Sequence, residues 1–191
     1  FLSLCFGLYS QNYRLYTSDH ELASTLINEI MQDHLGVIWI ATDDGLTRYD
    51  GSKFTTYRHI DGDETSISHN LVRDIIEDKA GNIYVGTHNG LQHFCRNTNT
   101  FSTLAKDSNG KFVTGNVNKI LQLSNGEIWV SGNDLYRVAL KDHNVYAQEV
   151  DYPGPRRYIQ DIMEDNAGNI WVSHQSNGIF VHVKKGNRLK H

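Results

Sequence analysis

Apolar and polar positions along this chain recur in four matching registers. Each register holds a glycine followed by an apolar–aromatic–apolar run: Gly36-Val37-Ile38-Trp39-Ile40, Gly81-Asn82-Ile83-Tyr84-Val85, Gly126-Glu127-Ile128-Trp129-Val130 and Gly168-Asn169-Ile170-Trp171-Val172. The glycines stand 45, 45 and 42 residues apart. Nine residues before them sit Ile27, Val72, Val117 and Ile159, and six before them Ile30, Ile75, Ile120 and Ile162. Three before them sit Asp33, Asp78, Leu123 and Asp165, so the acidic position is dispensable in the third copy. Self-similarity at this period marks a repeat architecture.

Each copy reads as strands. Residues 27–32 predict a first strand and residues 37–42 a second, the latter apolar enough to be buried on both faces. Turn clusters separate them, followed by a third strand (46–49, or 91–94 in the second copy) and a more polar fourth (54–57, or 101–104). Four short antiparallel strands per 42–45 residues predict an all-β chain, a β-propeller of about four blades. The blades are expected at about 26–57, 71–104, 117–150 and 159–183, the last without its outer strand. Trp39, Tyr84, Trp129 and Trp171 are expected to fill the space between blades. Residues 13–16 predict a strand left over from a closing blade. Two arrangements fit these ends: an open arc cut from a seven-bladed propeller, which is preferred, or a small four-bladed ring closed by residues 13–16.

The run Asp33-His34-Leu35-Gly36-Val37-Ile38-Trp39-Ile40-Ala41-Thr42-Asp43-Asp44-Gly45-Leu46-Thr47-Arg48-Tyr49-Asp50 resembles the two-component regulator propeller repeat, D-x-x-G-x-I-W-I-G-T-x-x-G-L-x-R-Y-D. The second copy, Asp78 to Phe94, is similar; the third and fourth depart at the acidic position or in turn length. The resemblance covers about residues 13–183. It implies the periplasmic sensor region of a hybrid two-component regulator in a Gram-negative bacterium. Such regulators detect glycan-derived oligosaccharides and control polysaccharide-utilisation genes. It further implies a homodimeric full sensor and a histidine-kinase parent anchored in the inner membrane, with no kinase part inside residues 1–191.

Composition narrows the partners. Eighteen Lys and Arg against 22 Asp and Glu give a net charge of −4, which excludes a broadly basic nucleic-acid binder. No run of 18 apolar residues is present, so no helical membrane span is expected. Residues 1–10 read as the remnant of a secretory signal peptide, with residues 11–191 forming the partial propeller. A lipobox at Leu2-Ser3-Leu4-Cys5 is disfavoured by the bulk of Leu4, and a strand is the remaining alternative. Cys5 and Cys95 make no disulfide framework, and Cys95 reads as a small buried hydrophobe. The ten His show no HxxxH or HExxH spacing, and Asp61-Gly62-Asp63-Glu64 lacks the ligand series of an EF-hand. No metal site, cofactor or catalytic residue is therefore assigned.

Strand parity places the candidate site. In a four-stranded antiparallel blade, the loop entering strand one and the turn joining strands two and three share a face. These segments are long and varied here, and variable loops on a rigid scaffold commonly carry binding. An oligosaccharide is expected to meet Asp43, Asp44, His88, Asn89, Gln175 and Asn177 from the turns. Arg156, Arg157 and Tyr158 form the densest cluster, suited to a sulfated or uronic sugar. Two other functions remain open: a propeller enzyme (a polysaccharide lyase, glycosidase or streptogramin-type lyase), or a protein-interaction platform.

Overall fold

The computed structural model describes residues 13–19, 21–113, 115–151 and 158–183. Among these, every regular element is a strand. The first sheet is β1 (Ile27–Gln32), β2 (Ile38–Thr42), β3 (Gly45–Tyr49) and β4 (Phe54–Tyr57), paired antiparallel in that order. The second is β5 (Val72–Glu77), β6 (Ile83–Thr87), β7 (Gly90–Cys95) and β8 (Thr100–Phe101). The third is β9 (Val117–Gln122), β10 (Ile128–Gly132), β11 (Leu135–Lys141) and β12 (Asn144–Glu149). The fourth has three strands among the described residues: β13 (Ile159–Glu164), β14 (Ile170–His174) and β15 (Gly178–His182). These are the meandering blades of a propeller, open rather than closed.

The repeated glycine has a backbone reason. Gly36, Gly81, Gly126 and Gly168 close the first hairpin of each blade with φ of 83°, 84°, 91° and 78°, a conformation a side chain disfavours. Three residues upstream, the repeated Asp finishes the turn. Asp33 Oδ1 accepts from the Leu35 and Val37 amides at 3.0 Å, and Oδ2 accepts from Trp39 Nε1 at 2.9 Å. Asp165 does the same for Ala167, Asn169 and Trp171. Asp78 does so for Ala80, Asn82 and the Tyr84 hydroxyl. Where Leu123 replaces the Asp, Glu127 Oε2 takes the Trp129 indole proton at 3.1 Å instead. One carboxylate per blade thus satisfies the polar group of the repeated ring, and in the first, second and fourth blades the same carboxylate fixes the turn, a task Asn125 takes in the third.

Burial comes from stacking blade on blade. Trp39, Ala41 and Leu46 of the first sheet pack with Val72, Ile75 and Ile83 of the second. Tyr84 and Leu91 of the second pack with Val117, Ile120 and Ile128 of the third. Trp129 and Leu135 of the third pack with Ile159, Ile162 and Ile170 of the fourth. The approach is tight at Gly86, where an added Cβ would come within 2.4 Å of Val117 Cγ1. Polar straps cross each interface as well. The His34, Lys79 and Ser124 amides donate to Glu77, Gln122 and Glu164 of the following blade.

Three expectations need correction. Trp171 is 37% exposed, whereas Trp39, Tyr84 and Trp129 are at 0%, 2% and 4%, because no blade covers it among the described residues. Residues 13–16 belong to no strand; Tyr16 instead lays its ring on Tyr49 and Phe54, with centroids 6.1 and 5.1 Å away. The outer strand expected over 101–104 shrinks to Thr100–Phe101, because side chains enter the ladder. Ser102 Oγ accepts from the His93 amide, and the Gln92 amide reaches Ser102 O. The expected leader, residues 1–10, lies outside the described residues.

Two stability experiments follow. Trp39→Ala should cost about 3–5 kcal/mol and Trp171→Ala about 1 kcal/mol, read by urea denaturation. Equal costs would refute the dependence of the ring on a covering blade. The second concerns acid. Burial pushes the Asp33 carboxyl up, but hydrogen bonds from Trp39, Arg96 and the Val37 amide outweigh it and hold the carboxyl below its usual 3.8. A depressed carboxylate gives stability that is present above 3.8 and lost as pH falls through the folded value. The stability gap between wild type and Asp33→Asn should therefore narrow below pH 3.8; a pH-independent gap would refute it.

Candidate functional site

The face deduced from strand parity exists in all four blades. After each second strand, the turn amide donates to the carbonyl just before or at the entry of the first strand. Asp43 donates to Leu26 O, His88 to Leu71 O, Asn133 to Asn116 O and Gln175 to Tyr158 O, at 2.9–3.2 Å. Turn and entry loop are thereby fused into one rim per blade.

The candidate residues fall into separate groups on this rim. Asp43 and Asp44 form a polar network between the first and second blades. Asn28 Nδ2 donates to Asp43 at 2.8 Å and to Val72 O at 2.8 Å. Arg58 and Asn70 both reach Asp44. Asn28 stands in the register shift between Ile27 and Glu29, so a β-bulge aims it at the neighbouring blade. Asn118 repeats the device, donating to Ile159 O.

His88 is exposed and faces His69, with ring centroids 5.2 Å apart. Burial, then the nearby His88 and His59, lower the His69 pKa from 6.5. Its Nδ1 accepts from the Leu71 amide at 2.9 Å. Asn89 lines a cleft of about 230 Å³ between the 59–68 and 103–112 loops, together with His59, Asp63, Glu64, Gln92 and Phe112. Gln92 holds the cleft wall through Ser66 O, Ser102 O and the Ser68 amide. Lys106 Nζ stands 4.9 Å from the centre of the exposed Phe112 ring. Asp63 accepts from Thr65 N and Oγ1 and so caps its own turn. These bonds lower its pKa, the Thr65 hydroxyl more than the Thr65 amide.

Gln175 and Asn177 lie exposed on the fourth blade, with Tyr158 adjoining at φ 64°. Arg156 and Arg157 lie outside the described residues. The sequence reading places His59 and Lys106 in long loops of this face without singling them out, and it misses Gln92 and Phe112. The length of the 58–70 and 104–116 connections already points to this face; that two long neighbouring loops can wall a cleft is the further signal.

Known proteins place this geometry. Residues 66–89 match the sequence model of the family described as two component regulator propeller. The chain therefore carries that repeat, at the second of its four registers. A histidine kinase P4 of Formosa agariphila is 36% identical over 72 residues, covering 36% of this chain and 5% of that protein. The extracellular domain of a one-component system of B. thetaiotaomicron superposes with a TM-score of 0.70 at 23% identity, covering 86% of this chain and 25% of that one. The extracellular domain of a hybrid two-component system from the same organism gives 0.58 at 19% identity, over 93% and 31%. A virginiamycin B lyase of Staphylococcus aureus gives 0.61 at 18% identity, over 92% and 57%. The structural likenesses establish the propeller fold. The chain spans a small part of the kinase and about a quarter to a third of the two extracellular domains. No helix among the described residues is long and apolar enough to cross a membrane.

Proposed function

We propose that this chain is part of the extracytoplasmic ligand-sensing propeller of a hybrid two-component regulator, and that it takes a glycan-derived oligosaccharide on the fused rim. The observation that carries the first half is the two-component regulator propeller repeat itself, supported by partial identity to a histidine kinase. Similarity to two extracellular domains supports the exported location. The sensor is assigned to the periplasm and its parent to the inner membrane. In that parent the full sensor would work as a homodimer and switch on polysaccharide-utilisation genes. The segment itself performs no catalysis in this reading.

The second half rests on the cleft. Its walls offer a side-chain amide at Asn89 and carboxylates at Asp63 and Glu64, suited to sugar hydroxyls, with the buried Gln92 holding the wall behind them. Phe112 offers an exposed ring on which a pyranose face can stack, and Lys106 supplies a cation beside it for a sulfate or uronate. At about 230 Å³ the cleft is smaller than the usual roughly 300–1,000 Å³ of a small-molecule site, which fits a short terminal segment of a glycan. Arg156, Arg157 and Tyr158 would extend the contact along the rim.

Titration calorimetry with neutral, uronic and sulfated oligosaccharide pools tests this. Binding of one charged pool is expected. Phe112→Ala with Asn89→Ala should weaken it at least about tenfold, a loss of 1.4 kcal/mol. Arg156→Ala with Arg157→Ala should weaken the charged pool alone. Unchanged affinity in the first pair removes the cleft, and in the second pair the arginine cluster. A second reading, a propeller enzyme, is favoured by the likeness to the lyase. Turnover of pectin, glycosaminoglycan or a streptogramin by the chain would replace the sensor reading.

A further inference from the structure

We infer that His93, Cys95 and His143 form a zinc site that ties the second blade to the third. His93 and Cys95 are two apart on β7 and point to the same side, toward the third sheet, as alternate residues on a strand must. His143 comes from the tip of the β11–β12 hairpin across that interface. One possible ligand atom from each lies within 4.8 Å of the other two. Cys95 Sγ is 3.6 Å from His93 Nδ1. Tetrahedral zinc, with bonds of about 2.0–2.3 Å, sets sulfur and nitrogen ligands about 3.5 Å apart, so this edge of the site is already in place.

Two further observations set the cluster apart from its surroundings. The first is the repeat. The position of His93 is Arg48 in the first blade and Arg137 in the third, and that of Cys95 is Asp50 and Ala139. Arg48 lies over the Trp39 ring and Arg137 pairs with Glu127. The fourth blade has Val181 and Val183 at these positions, and only the second places an imidazole there with a thiol beside it. The second observation is the hairpin. Asp142 and His143 occupy its two turn positions with φ of 50° and 62°, where Asn-Gly is the favoured pair. A histidine is held in a glycine conformation at the one place where its ring meets His93, with ring centroids 5.9 Å apart.

The donor set selects the metal. Two imidazoles and a thiolate suit zinc, with water in the fourth position. Cys95 releases its thiol proton to solvent as the metal–sulfur bond forms. The site is on the face opposite the fused rim and does not depend on the proposed sensing role. Spacing motifs could not reveal it, because His143 lies 50 residues from His93.

Cobalt(II) titrated into the reduced full chain is the test. One equivalent should bind and give a thiolate-to-cobalt charge-transfer band, and zinc should displace it. Cys95→Ser should abolish the band. His143→Gly should lower cobalt affinity at least about tenfold while raising the metal-free melting temperature, because glycine relieves the positive φ. A purely structural role for His143 moves only the second readout. Absence of the band in wild type, or unchanged affinity in His143→Gly, would overturn the site.

Discussion

Every part of this chain depends on one constraint: a blade of this kind has two faces to bury and can cover neither by itself. The same repeat position shows it four times. Ile75, Ile120 and Ile162 are almost wholly buried because a preceding blade lies against them, yet Ile30, in the same register, is 60% exposed. The aromatic position runs the other way, buried in the first three blades and open at Trp171. Strands β6 and β10, in the middle sheets, are buried at every residue, whereas β2 and β14 are covered on one side. Stability in such a stack is close to a sum over interfaces, and a residue's worth is set by its neighbour rather than by its own blade.

The polar groups follow from the same constraint. Once the apolar faces stack, the hairpin amides at the interface need acceptors, and each blade lends one to its predecessor through Glu77, Gln122 or Glu164. The Asp–indole pair repeats for the same reason. Its transfer to Glu127 in the third blade shows that the requirement belongs to the buried N–H and not to the residue that meets it. This explains why the acidic position can vary while an aromatic ring with a polar hydrogen, Trp or Tyr, stands in every register. It also explains why the hairpin face is monotonous: its side chains are committed to the stack.

What the sequence makes legible divides along that line. Strand order, blade period and the fused rim follow from the 45-residue register, since inward residues alternate and glycines mark turns. The rest depends on contacts between registers. Trp171 looks like Trp39 in sequence, and what tells them apart is the neighbouring blade that covers Trp39 and is not found over Trp171 among the described residues. Ser102 ends β8 by hydrogen-bonding the His93 amide, a side-chain competition that no apolar pattern records. His59 and Phe112 meet in a cleft because two long loops from successive blades lean together, although neither belongs to a motif.

A repeat scaffold can therefore hold two independent chemistries. Asn89 on the rim lies outside the apolar clusters, so it can vary with a ligand without weakening an interface, whereas Asp43 and Asp44 bridge the first and second blades. Positions on the third strand are free in a narrower sense. Their side chains point toward the next blade but lie beyond its apolar core, where Arg48 and Arg137 reach polar or aromatic partners locally. Replacing that cation at His93 removes a local contact and leaves the clusters on either side intact. A hairpin tip from the next blade is then within reach, and His143 supplies it. The interface that every blade must form for burial thus brings together side chains distant in sequence, at a place where the stack makes no demand on their identity.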